Sequence, residues 1–445
     1  MAKEIAAPVQ SQELYVSSPG RPVKETTFRE WVVVNQIGIS LTILATLLAL
    51  HNLYPSLRPY TQPFFELSYY DSATNSYVQG WDDVYFVVSG ALALTAVRAI
   101  VIEWILHPLA RCAGLRRKAS VRLAEQGWLA LYYSFIWSVG LYLWKNSHYW
   151  FDFAAIWDTW PARPVSGLMK WYLLVELSFF IQQIFVIHVE ERRKDHYQML
   201  SHHIITSTLL SSAYIYGFYN VSNVVLCLMD NVDFLLPSAK ILKYLKLQNA
   251  CNVAFGIFMS SWFVTRHVLY NMLVWSIYMN VPLKMPYGCY SGGELTSTNG
   301  YPDAFAYLFA PFRSLENPIC MNRAIKWIFV SFLISLQMLS IVWFAMIVRV
   351  AYGVIRTGAA DDSRSDEEDE VASNVEDATN GSVRLAAKES VSDTPIVNDA
   401  APGLDRRRSN GANSMRARGR GRGRVPFDQS DRKALLGRIG CDKPT

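Results

Sequence analysis

A run of 22 residues without a formal charge, Trp327–Val348, sets the strongest limit on what this chain can fold into. Crossing about 30 Å of hydrocarbon takes roughly 20 mostly apolar residues in a helix, and a helix satisfies its own backbone in lipid. Seven further stretches have that character: Trp31–Tyr54, Val84–Leu106, Gly127–Trp144, Leu168–His188, Ser201–Phe218, Val221–Ala239 and Phe255–Met279. Arg98 and Glu103 interrupt the second, and Arg266 and His267 lie in the seventh. The fifth and sixth come from one uncharged stretch, 197–229, too long for a single span, which divides at the polar Tyr219-Asn-Val-Ser-Asn223. The expected fold is an all-α polytopic membrane protein with about eight transmembrane helices. The first stretch follows a polar segment and precedes no obvious small-residue cleavage site, so it reads as an anchor that stays in the protein.

Charge is distributed to match. From Asp361 onward 15 Lys/Arg face 16 Asp/Glu, a net −1. The first 360 residues hold 27 Lys/Arg against 21 Asp/Glu, a net +6. An apolar body with a polar tail excludes a single soluble enzyme and a wholly disordered chain. The basic balance belongs to membrane topology, and no nucleic acid is required as a partner. Four regions follow: a cytosolic N-terminal segment, 1–30; two spans with a basic connection, 31–117; a catalytic domain of about six spans, 118–350; and a disordered cytosolic tail, 351–445. Basic residues mark the cytosolic turns: Arg111, Arg116, Arg117, Lys118 and Arg122, then Arg192, Arg193 and Lys194, then Lys240, Lys243 and Lys246. Eight spans then leave both termini in the cytosol.

The aromatic segment Tyr149–Pro161, broken by acids and proline, suits an interfacial or re-entrant piece. The long Val281–Lys326 connection either caps one face or simply joins two helices. Cys289 and Cys320 flank it and can pair if it is lumenal; two unpaired thiols are the alternative. In the tail, an acidic run surrounds Ser363 and Ser365, candidate sites for an acid-directed kinase. The arginine–glycine run 416–424 can meet anionic headgroups or RNA, or merely solvate the chain.

Ionisable residues inside a membrane are costly and mark sites, pathways or paired contacts. Here they concentrate. His202 and His203 open the fifth span, and Thr206 shares a helical face with His202. On the sixth span Asp230 and Asp233 share a face, with Asn231 between them. If the two spans form an antiparallel hairpin, histidines and aspartates meet at one depth. An Asp can orient a histidine base, the group can bind a metal, or it can be a structural knot. Eight histidines in the whole chain, three of them between Glu190 and Thr206, are too few for a di-iron oxygenase, and no metal is expected. Arg266, with Trp262 one turn before it, pairs with an intramembrane acid or receives a phosphate, and His267 can join it. Glu176 is a candidate partner for Lys170 or for a neighbouring helix; Gln182 and Gln183 read as interhelical hydrogen bonders.

Met199-Leu-Ser-His-His-Ile-Ile-Thr206, Met229-Asp-Asn-Val-Asp-Phe-Leu-Leu236 and Ala239-Lys-Ile-Leu-Lys-Tyr-Leu245 together resemble the signature of ceramide synthases, the longevity-assurance branch of the TLC-domain proteins; the two additional N-terminal spans, the acidic tail and the lack of an animal homeobox-like insertion look more like a fungal member. Trp150-Phe-Asp152, Trp171 to Gln183, Glu191 to Asp195 and Phe263-Val-Thr-Arg266 add to the likeness, which spans roughly 118–350. The resemblance implies transfer of a fatty acyl group from CoA to the amine of a sphingoid long-chain base in the endoplasmic reticulum. Acyl-CoA would be a co-substrate, with no bound cofactor. It matches His202, His203, Asp230 and Asp233 to the family's active region. Arg192, Arg193, Lys194, Thr206, Asn231, Trp262 and Arg266 are substrate-binding candidates. A histidine would act either as general base or as an acyl-carrying nucleophile. Membrane lipids, further copies, a related chain or a small regulatory subunit are expected partners. A non-enzymatic TLC protein in membrane-protein insertion or lipid transport, and an acyltransferase with another acceptor, are the competing readings.

Overall fold

The computed structural model describes residues 28–161, 163–189, 195–291, 294–297, 309–313 and 318–357. Arg192, Arg193, Lys194, most of the N-terminal segment, and the tail with Ser363, Ser365 and the arginine–glycine run lie outside the described residues. Among the described residues, eight long helical rods fall where the eight apolar stretches do. The first is α1, Phe28–Leu53. The second, α2, starts as Asp83–Ile100, passes through a wider π-type turn at Val101–Leu106 and ends as His107–Cys112. Then come α3, Arg117–Lys145, and α4, Gly167–Val189. Next are α5, His196–Ile215, and α6, Tyr219–Tyr244. The seventh rod, α7, comprises Gln248–Trp262, a second π-type turn at Phe263–Leu269, and Tyr270–Lys284. The last is α8, Arg323–Thr357. Among the described residues four stretches are long and apolar enough to cross a membrane: Asn35–Leu53, Asp83–Cys112, Gly167–His188 and Arg323–Gly353. The other four rods are diluted by polar residues, and those residues build the site.

The α5–α6 hairpin follows from one glycine. Gly217 has φ +71°, a left-handed conformation that glycine adopts without a Cβ penalty. It closes α5 as the Phe218 N–H donates to the Ala213 carbonyl at 2.8 Å. The chain then reverses directly into α6, antiparallel to α5. Along α6 packs α3, brought close by Gly140, where a Cβ would stand 2.5 Å from the Tyr172 hydroxyl and 3.0 Å from Cys227 Sγ. Small residues at helix crossings allow such approach in membranes. Polar groups fix the register of this pair. Trp137 Nε1 donates to the Cys227 carbonyl at 3.1 Å, and Asn223 Nδ2 donates to the Gly140 carbonyl at 3.1 Å.

A buried polar knot attaches the first two rods to the rest. The Lys170 ammonium, at the start of α4, lies 2.7 Å from Asp83 Oδ1 and donates to the Ser68 and Val78 carbonyls at 2.8 Å each. Tyr214 at the end of α5 donates to Asp83 Oδ2 at 2.7 Å. Of the two partners the sequence left open for Glu176, Lys170 is thereby taken by Asp83. Six residues apart on a helix are not on one face, and Lys170 instead reaches the loop that enters α2.

The two irregular connections are structured. The aromatic segment forms one 3-10 turn, Ala155–Trp157, and packs against helix ends: Trp157 Nε1 donates to Ser276 Oγ at 3.1 Å, and Trp160 Nε1 to the Tyr216 carbonyl at 2.9 Å. Between α7 and α8 lies a three-stranded antiparallel sheet in the order β2-β1-β3, where β1 is Gly288–Ser291, β2 is Glu294–Ser297 and β3 is Ile319–Met321. Cys289 and Cys320 face each other across β1 and β3 and form a disulfide. The alternative left open by the sequence is thereby decided in favour of pairing.

Candidate active site

Antiparallel α5 and α6 bring their polar ends together. His202, Thr206, Asp230 and Asp233 all line one cavity. Because α5 runs from His202 toward Ala213 while α6 runs from Phe218 toward Asp233, the four polar residues sit at one end. The walls beyond them are apolar, including Leu209, Ala213, Val225, Ile277 and Leu333. Trp157, Met321 and Lys326 line the opposite end. The i,i+4 and i,i+3 faces read from the sequence therefore point into one space.

The two histidines diverge, as adjacent helical positions must. Their ring centroids are 5.2 Å apart at a steep angle. His202 faces the cavity and meets Trp343 of α8 edge-on at 5.4 Å. His203 is buried against Phe180 of α4 at 5.9 Å and is not part of the cavity lining. The two aspartates differ as well. Arg266 Nη2 donates to both carboxylate oxygens of Asp233, at 3.1 and 3.3 Å, and to the Met229 carbonyl at 2.7 Å. Its guanidinium lies 4.1 Å from the Trp262 ring centroid, a cation–π arrangement. Asp230 is buried, and its Oδ2 has no hydrogen-bond partner among the described residues.

Four further sequence candidates lie outside the cavity lining. Asn231 is turned toward α7, where its side-chain oxygen accepts from the Ser261 hydroxyl, because one helical step from Asp230 rotates it about 100° away. Trp262 supports Arg266 from below and does not line the cavity. Arg266 itself holds Asp233, so its charge is already matched; of the two roles left open, the structure shows the pairing with an acid. His267 bonds Gln337 of α8 at 3.0 Å through Nδ1 and does not line the cavity. Two residues stand out only in three dimensions. Phe180 forms cavity wall and histidine support together. Lys326 reads in sequence as a boundary charge, yet it is buried at the cavity's far end with its ammonium 5.4 Å from the Tyr278 ring. No three His, Cys, Asp or Glu side chains converge as metal ligands among the described residues.

Residues 122–349, which contain every one of these positions, match the family model described as the TLC domain. The chain belongs to the TLC-domain family. Three of its relatives are fungal. A sphingosine N-acyltransferase-like protein, ALT7, of Alternaria alternata is 43% identical over 77% of this chain and 78% of its own. The ceramide synthase FUM18 of Gibberella moniliformis is 37% identical over 77% and 81%. The sphingosine N-acyltransferase lag1 of Schizosaccharomyces pombe is 37% identical over 76% and 81%. Within the TLC family, the likeness to fungal ceramide synthases read from the sequence motifs holds.

Proposed function

We propose that this TLC protein is a ceramide synthase, transferring a fatty acyl group from CoA to the amine of a sphingoid long-chain base. The observation that carries the reading is the cavity: apolar along its length, with His202, Thr206, Asp230 and Asp233 gathered at one end. An acyl chain belongs in such walls, and its thioester belongs beside the polar groups. The printed names of the relatives agree with that chemistry.

His202 is the histidine open to substrate, so it is the residue assigned to the reacting atoms. As general base it takes a proton from the amine nitrogen as the N–C bond forms. It then returns that proton to sulfur as the C–S bond breaks and CoA leaves as the thiol. As nucleophile it would instead carry the acyl group between the two substrates. His203 positions it through packing on Phe180. Thr206 is a candidate donor to the developing oxyanion. The CoA phosphates would rest on the basic cytosolic turn containing Arg192, Arg193 and Lys194.

Eight spans, a core domain at 118–350, residence in the endoplasmic reticulum and cytosolic termini complete the proposal. A disulfide between α7 and α8 supports it, because disulfides persist in oxidising compartments such as the ER lumen. Partnership with further copies or a small regulatory subunit belongs to the same reading. Purified protein given sphinganine and fatty acyl-CoA is expected to yield ceramide and free CoA in equal amounts. H202A and H203A should each abolish turnover while the protein stays in the membrane. Ceramide formation by H202A at the unmodified rate would remove the histidine from the mechanism.

A further inference from the structure

Lys326 stands in the first turn of α8 and forms part of the cavity wall, at the end away from His202. It is buried, and among the described residues no carboxylate pairs with its ammonium. Aromatic rings hold the charge instead. The ammonium lies 5.4 Å from the centroid of the Tyr278 ring on α7 and 5.5 Å from that of Trp327. The two rings also meet each other, with centroids 6.3 Å apart, so they form one seat. Both are half-exposed, which leaves the aliphatic stem to the cavity and draws the charged head outward.

The position is otherwise a poor one for a lysine. An unpaired cation among apolar side chains is costly, and near a helix N-terminus it opposes the helix dipole. That terminus already has its cap: the Asn322 side-chain oxygen accepts from the Ile325 N–H at 2.8 Å. The side chains around Lys326 are fixed. Met321 follows the disulfide-bonded Cys320, and Trp157 is bonded to Ser276. Phe218 and Phe329 meet edge-on at 5.0 Å. All four line the same cavity as Lys326.

The rods give the depth to this floor. At 1.5 Å per residue, Lys326 and Leu336 lie about 15 Å apart along α8, and Phe218 and Asp230 about 18 Å apart along α6. Three backbone bonds span about 3.8 Å between successive Cα atoms, so an extended chain advances about 1.25 Å per bond and fills this depth with about 12–14 bonds. A palmitoyl chain with its thioester beside His202 and Asp230 therefore ends at Lys326. A lignoceroyl chain, half as long again, does not fit above it.

We propose that Lys326 is the stop that limits acyl length, a specificity-determining residue whose ring-held ammonium closes the floor of the acyl site. This rests on the acyltransfer reading above. A hydrocarbon end driven deeper has to lift the ammonium from both rings and press an unpaired charge against alkane. A chain that ends at the stem leaves the seat intact and still buries its full length in the apolar walls.

The test is a competition on purified full-length wild type, K326M and K326R. Each receives sphinganine with equimolar palmitoyl-CoA and lignoceroyl-CoA, and the ratio of the two ceramides is read by mass spectrometry. Wild type should favour the palmitoyl product at least about 10-fold, the discrimination that one misfitting methylene can already give. K326M, unbranched and uncharged, should lower that preference at least about 10-fold. K326R keeps the charge and stacks on rings, so it should keep the preference. Partial unfolding reduces both products together and leaves the ratio unmoved, which separates a stop from a structural role. An unchanged ratio in K326M, its loss in K326R, or wild type without the palmitoyl preference overturns the proposal. A second measurement needs neither a variant nor turnover. Palmitoyl-CoA carrying a diazirine at its terminal carbon, irradiated on wild-type protein, should label Lys326, Met321 or Phe329, and labelling elsewhere also overturns the proposal. Wild-type protein that makes neither ceramide sinks the acyltransfer reading instead, and the photolabel still decides where the chain ends.

Discussion

At the scale of single residues, the site is governed by where each charge finds its match. Arg266 shows this most clearly: its guanidinium bonds both oxygens of Asp233 and stacks on Trp262, deep in the bundle. Removing one member of a buried pair typically costs about 3–5 kcal/mol. The Asp233 side chain is 35% exposed, so solvent screening moves the expectation for R266A toward the low end of that range. Thermal unfolding in detergent should therefore show a lower midpoint for R266A, partly restored in R266A/D233N, where no charge is left stranded. R266K should fall between, since lysine keeps the charge but not the planar fork or the stacking. A midpoint unchanged in R266A would mean the pair contributes nothing. The faces bearing His202 with Thr206, and Asp230 with Asp233, were legible because helical spacing is local. The side-chain direction of Asn231 and the supporting place of Trp262 were not, since both depend on how α7 lies against α6. Glu176 was visible as a charge in an apolar run, but its neighbours come from two other helices and no spacing rule names them.

Elements obey a similar division. The eight apolar stretches marked the eight rods because length and charge scarcity are properties of the chain itself. The polar Tyr219 to Asn223 stretch lies just beyond the reversal, and Gly217 makes it. The π-type turns at 101–106 and 263–269 had no sequence mark, and the second matters, since it carries Arg266. Nor did the α7–α8 connection announce strands, because its short segments lack a long alternating pattern. How tightly the elements meet is open to test at Gly140. An alanine Cβ there would lie 2.5 Å from the Tyr172 hydroxyl and 2.8 Å from its ring carbon, with Cys227 Sγ at 3.0 Å. A buried ring cannot swing aside without moving α4 or α6, so G140A is expected to cost about 1–3 kcal/mol by overpacking. Gly256, with nothing within 4 Å of the same construction, is the control. G256A should leave the unfolding midpoint where it is or raise it slightly, and equal behaviour of the two variants would show that α3 is free to shift.

Over the whole molecule, the knot around Lys170 and Asp83 and the disulfide between β1 and β3 lie toward the cavity end away from the histidines. Lys170 is at the start of α4 and Tyr214 at the end of α5. Met321, next to Cys320, is part of the cavity lining at that end, alongside Trp157 and Lys326. The covalent staple and the ion pair thus brace the end of the cavity away from its four polar residues. Sequence alone left the cysteines undecided because pairing depends on compartment as much as on spacing. That dependence makes the disulfide a reporter of orientation. In sealed microsomes a membrane-impermeant maleimide should leave Cys289 and Cys320 unmodified, and detergent alone should not change this, since no thiol is present. Detergent with a reductant should expose both. Labelling of either cysteine in sealed, reductant-treated vesicles from the cytosolic side would reverse the proposed topology, and labelling without a reductant would deny the bond. The bond closes a segment with a sequence separation of 31 residues, for which chain entropy alone suggests roughly 3–4 kcal/mol. C289S/C320S should accordingly unfold at a lower temperature than wild type while retaining His202 and Asp230 in place. Any loss of the proposed ceramide formation should follow the fraction unfolded rather than exceed it, because the staple braces the far end of the cavity and touches none of His202, Thr206, Asp230 and Asp233.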